Sequence, residues 1–341
     1  MLFRSGDRGL YLYYTLWQIG VVKIFRQLVK EIRFDYAWHL SFGSWWMPTF
    51  LPLVGLPFIY GPLGGGDGVP RSFFRALPLK DRIIQSFRYV LTSIAIFNPI
   101  VMFPACKAKA ILCRTENNRD FLPFFLKRKS TVILETAMDM DELGVVEKKE
   151  CKSRIEFITT GRLVPFKNLK CAIDALAIVR QKYDFHYTII GKGPETDRLK
   201  KQIMRLGLLE NIEIKKQMPR DELLCELKKA DVFLFPSLRE GGSWALMEAL
   251  ALSLPTICLN WTGMKMITDE KCAIQLQVSN PHQMTNDFAN AICRLIENPK
   301  LRKEMGLHAR ERMRDVFNWE AKGNFADRLL DKLDKECFIT K

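Results

Sequence analysis

Several common signatures are missing from this chain of 341 residues, and each absence removes a class of protein. Nine cysteines (Cys106, Cys113, Cys151, Cys171, Cys225, Cys258, Cys272, Cys293 and Cys337) lie scattered, with no C-x-x-C spacing and no histidine paired to them. Neither a zinc site nor a thiol redox motif is expected from that arrangement. Their odd number and their placement in apolar runs fit reduced thiols in a cytosolic protein better than a disulfide framework. No internal repeat and no low-complexity tract stands out, which sets aside solenoids and disorder. The first eight residues include Arg4, Asp7 and Arg8, and no secretory leader is expected. The uncharged apolar run 89–106 (YVLTSIAIFNPIVMFPAC) contains Asn98, Pro99 and Pro104 and therefore favours a buried or interfacial helix over a membrane span.

What is present bounds the answer from the other side. The length exceeds what one hydrophobic core usually covers, so two domains are expected. Composition is that of a folded protein, 48% hydrophobic and 26% charged. Net charge is +14, and it is uneven: residues 1–130 hold 18 Lys or Arg against 7 Asp or Glu, and so carry +11 of it. That region is also rich in Phe, Tyr and Trp. A basic, aromatic surface suits anionic lipid headgroups, polyphosphates or nucleic acid, and it also serves plain solubility.

Periodicity predicts a helix over 11–29, then strands at 34–40 (FDYAWHL), 56–60 (LPFIY), 108–114 and 130–134. A polar stretch, 139–154, reads as a linker. Beyond it strands at 155–160, 185–190, 212–215, 232–235 and 256–259 alternate with helices at 169–182, 195–206, 220–229, 244–252 and 281–297. Strands joined by crossover helices form a parallel sheet covered on both faces, and such sheets bind ligands at the carboxyl ends of their strands.

Three groups of residues fall at those ends. After Thr160 comes "GRLVPFKN", which places Arg162 and Lys167 in one short loop, with Asn168 at a helix N-cap position. Two cations beside a helix N-terminus suit an anion, because unpaired amides and the helix dipole add to the side-chain charge. After Ile190 comes "GKGPE", a tight turn at Gly191 and Gly193. After Phe235 comes "REGGSWALMEALALSLP", in which Glu240 precedes Gly241 and Gly242, and Glu248 stands inside an otherwise apolar helix. An ionised carboxylate there costs several kcal/mol unless something donates hydrogen bonds to it. The second glutamate lies eight positions after the first, about 12 Å along a helix at ~1.5 Å per residue, so the pair cannot share one proton or one metal. The two are expected to hold different parts of one long ligand, and a nucleotide diphosphate sugar has the length and the chemistry. Asp139 to Asp141 (DMD) invites a metal reading, but it sits in the linker far from the cation loop.

The run from "TTGRLVPFKNLKCAIDAL" through "IIGKGPETDRLKKQI" to "ADVFLFPSLREGGSWALMEALALSLPTI" resembles the retaining glycosyltransferases of the GT-B architecture, the large group 1 family, over about 155–259. The resemblance implies an α/β fold of two Rossmann-like domains whose parallel sheets face a central cleft. It implies an acceptor-side domain with linker over 1–150, a donor domain over 151–318, and a closing helix, 319–341, returning to the first domain. The first domain is expected to be incomplete at its N-terminal side, since relatives carry further strand and helix units before the strand at 34–40. Within the family pattern Glu240 would hold hydroxyls of the transferred sugar, Glu248 the nucleotide ribose, and Arg162 and Lys167 the diphosphate. Gly161, Gly191, Gly193, Gly241, Gly242, Ser243 and Trp244 would line the donor, and backbone near Gln217 and Met218 would read the base. His39 would stand near the donor sugar or be a buried histidine. Trp319 in "FNWE" would be a packing residue.

The resulting expectation is a hexosyltransferase that acts with retention, using a UDP- or GDP-linked sugar as co-substrate and no metal or other cofactor. Its acceptor would be a saccharide or a polyprenyl-linked saccharide, in surface polysaccharide synthesis. Placement would be cytoplasmic, with peripheral membrane contact through the basic first domain and no nucleic-acid partner. A GT-B protein that binds nucleotide without catalysis, or a GT-B nucleotide-sugar epimerase, is the alternative.

Overall fold

The computed structural model describes residues 9–40, 43–144 and 154–339. Cys151 and most of the linker stretch lie outside the described residues, as does the side chain of Cys337. In chain order the elements are α1 (Leu10–Glu31), β1 (Ala37–His39), β2 (Phe58–Leu63), α2 (Leu79–Ile94), α3 (Pro99–Lys107), β3 (Ala110–Cys113), α4 (Glu116–Asp120), α5 (Phe124–Lys127) and β4 (Ser130–Val132). They continue with β5 (Ile155–Thr160), α6 (Leu169–Val179), β6 (Phe185–Ile190), α7 (Thr196–Arg205), β7 (Ile212–Lys215), α8 (Arg220–Lys229), β8 (Val232–Phe235), α9 (Trp244–Ala251) and β9 (Thr256–Leu259). The last are α10 (Thr262–Ile267), β10 (Ala273–Leu276), α11 (Pro281–Glu297), α12 (Pro299–Val316) and α13 (Trp319–Ile339).

The chain forms two compact units, one from Met1–Asp67 with Ser86–Glu135, the other from Gly68–Gln85 with Thr136–Lys341. This division differs from a single boundary at 150. An excursion of the chain, Gly68–Gln85, joins the second unit, as do the residues after Thr136 and the closing helix α13. One tie is a backbone bond from Met138 N to Phe317 O at 2.6 Å.

The first unit holds a parallel sheet in the order β1-β2-β3-β4. Its strands are apolar, Phe58, Ile59, Tyr60, Ile111 and Leu112 being nearly inaccessible, as expected of a parallel sheet covered on both faces. Asn98 starts α3 by accepting from Ile100 N at 2.9 Å with Pro99 at the first helical position, and this cap explains why the uncharged run breaks there. The glycine run after β2 is tied down as a turn: Gly66 N donates to Asn118 Oδ1 at 2.5 Å, and Asn118 Nδ2 and Thr115 Oγ1 donate to the buried Asp67 carboxylate at 2.8 and 2.6 Å.

The second unit holds six parallel strands in the order β10-β9-β8-β5-β6-β7. The strands VFLF and TICL are wholly buried, and each large apolar side chain taken out of water contributes about 1.5–3 kcal/mol. Helix α6 buries Ala172, Ile173, Ala175 and Leu176 and packs on α11, while α9 packs on α12. Five strands and two helices, α8 and α11, coincide with the sequence expectation; β10 lies outside it, because Ala273–Leu276 is short, only partly buried and interrupted by Gln275.

Candidate functional site

The order of the six-stranded sheet reverses between β5 and β8, which are neighbours, so the loops that follow them lie side by side at the carboxyl ends of the strands. Backbone contact there demands glycine. A Cβ on Gly191 would stand 1.8 Å from Gly161 O, one on Gly193 2.2 Å from Leu163 O, and one on Gly263 1.8 Å from Gly241 O. The loops after β5, β6 and β8 and the start of α10 are therefore held together by main chain, with Gly161 N donating to Ile190 O at 3.0 Å and Gly263 N to Glu240 O at 3.0 Å.

Lys167 and Glu240 meet on this platform. The ammonium is 2.5 Å from Glu240 Oε1, which also accepts from Ser237 Oγ at 2.5 Å. Lys167 Nζ stands 4.8 Å from the centre of the Phe235 ring and about van der Waals distance from Gly161, where a Cβ would lie 3.8 Å away. Both side chains of the pair are close to nine-tenths buried. A cation this shielded from water interacts strongly with any anion that reaches it, since the local dielectric is low.

The donor that Glu248 requires is Arg220, the first residue of α8. Its Nε donates to Glu248 Oε1 at 3.1 Å and its second arm to Glu142 Oε2 at 2.7 Å. Glu248 is buried within α9 among Leu246, Met247, Ala249 and Leu250. Each expected carboxylate thus has its own cation, Lys167 for Glu240 and Arg220 for Glu248. The spacing between them is not that of an unbroken helix, because α9 begins at Trp244 and residues 240–243 precede it.

The other expected residues are distributed around these pairs. Arg162 is exposed in the loop of Lys167; Gly241 and Gly242 are half-buried; Ser243 is buried and caps α9 by accepting from Leu246 N at 3.5 Å; Trp244 is half exposed. Gln217 is exposed and Met218 half-buried in the loop between β7 and α8. Asn168 occupies the position before α6 but does not cap it. Its backbone is left-handed, φ 53°, a conformation asparagine tolerates, and its amide donates to Met284 Sδ at 3.7 Å instead. The DMD stretch forms a local turn in which Asp141 N donates to Asp139 Oδ1 at 3.0 Å. Trp319 is 57% exposed; the buried aromatic of that stretch is Phe317, covered by Arg312 and Lys322.

In the first unit His39 ends β1 and is buried. Its Nε2 lies 3.3 Å from Tyr14 Oη, which accepts from Gln18 at 2.8 Å, and Gln18 accepts in turn from Thr49 at 2.9 Å; the Tyr60 ring lies beside the imidazole, 5.7 Å between centres.

Residue typing alone missed Ser237, Arg220 and Arg239. The last lies over the Phe166 ring, 4.3 Å away, and donates to Gln85 at 3.2 Å. The signal for Arg239 was its adjacency to Glu240. Arg220 carried none, because it lies 28 residues before its partner.

Residues 146–312, just under half of the chain, match the model of the family described as "Glycosyl transferases group 1". The chain is 30% identical over 149 residues to the putative colanic acid biosynthesis glycosyltransferase WcaL of Escherichia coli (strain K12), covering 42% of this chain and 37% of that one. It is 29% identical over 203 residues to the N-acetylgalactosamine-N,N'-diacetylbacillosaminyl-diphospho-undecaprenol 4-alpha-N-acetylgalactosaminyltransferase of Campylobacter jejuni, covering 58% and 53%. The chain spans less than two thirds of the length of these relatives. Among solved structures it superposes on Anabaena Alr3699/HepE in complex with UDP with a TM-score of 0.62 at 15% identity, covering 92% of this chain and 82% of that one. The fold is α/β with parallel sheets, that of the GT-B glycosyltransferases.

Proposed function

We propose that this protein transfers a hexose-type sugar from a nucleotide diphosphate sugar to a saccharide or polyprenyl-linked saccharide acceptor, with retention of anomeric configuration, in the building of surface polysaccharide. The observation that carries this reading is the shielded Lys167–Glu240 pair at the point where the sheet order reverses. Lys167 would meet the diphosphate of the donor, with the exposed Arg162 as a second cation and the amides before α9 as further donors. As the bond to the sugar breaks, negative charge grows on the departing diphosphate, and a preplaced ammonium stabilises that state more than the ground state. Releasing Glu240 from Lys167 would free its carboxylate for sugar hydroxyls. At Glu248 the ribose hydroxyls would join Arg220 as donors. No side chain is assigned as a base. Relatives named for colanic acid biosynthesis and for glycosyl transfer to a diphospho-undecaprenol-linked sugar support this acceptor class, and a UDP complex of a protein with this fold supports the donor class. The basic first unit suits a place on the cytoplasmic face of a membrane.

A thermal-shift screen with UDP, GDP and their sugars tests the donor. A ligand at 100 times its Kd stabilises by about 2.7 kcal/mol, and Lys167→Met should abolish the shift. Anomeric NMR of the product tests retention. No shift with any nucleotide or nucleotide sugar, at millimolar concentration, would overturn the reading.

A further inference from the structure

Helix α2 is built inside out. The residues it turns into the protein are polar: Gln85 and Thr92 are buried, and Arg88 is half-buried, its guanidinium donating to Gly65 O at 3.2 Å. The residues it turns to solvent are large and apolar. Ile83, Phe87, Val90 and Ile94 are 53 to 64% exposed, and the stripe continues through Phe97, 81% exposed, and Ile100, 52% exposed, at the head of α3. Positions 83, 87, 90, 94 and 97 step by four and three, so they share one face. A helix on a surface that meets only water has the opposite arrangement, and an apolar face of this extent marks a contact with something apolar.

Charge decides what that contact is. In sequence the uncharged run 89–106 is preceded by exposed Lys80 at the start of α2 and followed by exposed Lys107 and Lys109, and Asp81 is the one acidic residue between 71 and 115. An apolar centre with a cationic border complements the interface of an anionic bilayer. A second copy of this chain would bring the same cations to the same border, and like charges oppose that pairing. Among the described residues no single helix is long and apolar enough to cross a membrane, while the stretch Leu79–Phe97 and α3 form a bent pair, 64° apart, that passes by length and composition only together. A bend of that size does not suit a straight span.

We propose that α2, the turn after it and the head of α3 lie in the plane of an anionic lipid bilayer, with the Phe87–Ile94–Phe97 stripe immersed about 5–10 Å and the flanking lysines on lipid phosphates. The purpose of this contact rests on the transferase reading above, since an enzyme whose acceptor is a polyprenyl-linked saccharide must meet it at the membrane face. The contact itself is independent of that reading.

The test is co-sedimentation of the full chain with vesicles of 70:30 phosphatidylcholine and phosphatidylglycerol, and with phosphatidylcholine alone. The expected result is binding to the anionic vesicles that weakens with salt, and a tenfold or greater loss of partitioning in the double variant Phe87→Asp with Ile94→Asp. Both positions are exposed, so the variant should keep its thermal midpoint and its nucleotide-induced shift. Lys167→Met should lose the nucleotide shift and keep vesicle binding, which separates failure of this proposal from failure of the transferase reading. Phe97→Trp should show a blue-shifted emission with anionic vesicles. No binding by the unaltered chain, or equal binding by the double variant, overturns the proposal. So does a dimer in lipid-free solution that the double variant dissociates without any vesicle binding, which would assign the stripe to a second copy.

Discussion

Removing Arg220 should expose how Glu248 is tolerated inside α9. The carboxylate is 7% accessible and takes a hydrogen bond from Arg220 Nε at 3.1 Å. Breaking a fully buried pair by deleting one partner costs about 3–5 kcal/mol, and a hydrogen bond to a charged group is worth about 1.5–3. The Arg220 side chain, however, is 43% exposed, so water replaces part of what is lost. Discounting for that, Arg220→Ala should cost about 1–2 kcal/mol. For a unit of roughly 200 residues this lowers the melting midpoint by about 2–8 °C. Part of the loss belongs to the exposed contact with Glu142, which is worth at most about 1 kcal/mol. A double-mutant cycle separates the two. Glu248→Leu places an apolar side chain in an apolar helix and should change stability by no more than about 1 kcal/mol in either direction. In that background Arg220→Ala should cost only the Glu142 contact, about 0.5 kcal/mol. The same Glu248→Leu variant should lose at least tenfold in nucleotide affinity, about 1.4 kcal/mol, measured by titration calorimetry. The reasoning fails if Arg220→Ala costs the same in both backgrounds, or if Glu248→Leu unfolds the protein. The first result would show that Arg220 does not support Glu248, and the second would make Glu248 a structural group rather than one retained for a ligand.

Glycine contacts offer a sharper contrast. Gly191→Ala and Gly263→Ala each drive a Cβ to 1.8 Å from a carbonyl oxygen and should cost 3 kcal/mol or more, read as loss of soluble, cooperatively melting protein. Gly20→Ala in α1 and Gly323→Ala in α13 meet no atom within 4 Å and should stabilise by about 0.5–1 kcal/mol in thermal melts. Thiol titration with an aromatic disulfide reagent at pH 8 should label Cys106 and Cys225 quickly, while Cys113, Cys171, Cys258 and Cys272 react only after unfolding. Burial pushes those four thiols up to about 12, so they stay protonated and covered. Rapid labelling of any of the four in native protein would contradict the packing.

Much of the second unit was legible in the chain because parallel strands covered on both faces are mostly apolar, VFLF and TICL wholly so, while IEIK at the sheet edge alternates apolar and charged residues. IEFITT, FHYTII, IEIK, VFLF and TICL each ended where a turn or charged residue began, and the structure ends its strands there too. Local spacing also placed Lys167 and Glu240 in loops after strands that a Rossmann-like order makes neighbours. Pairings across long sequence distances were not legible. That Glu248 is met by Arg220 depends on how α8 and α9 pack, and that Asn168 reaches Met284 rather than its own helix depends on α11 lying over α6. Phe317, not Trp319, is the buried ring because Arg312 and Lys322 close over it. Helix α2 was hidden for a related reason. Its apolar residues have helical spacing, and the uncharged run 89–106 left a buried and an interfacial helix both open; only the tertiary structure shows the apolar face turned outward over a polar inner side. Sequence by itself determined where strands, turns and reactive side chains fall, since those follow from burial and backbone freedom within a few residues. The tertiary structure alone decided which charges meet and which faces stay bare, because those depend on groups that the chain brings together from far apart.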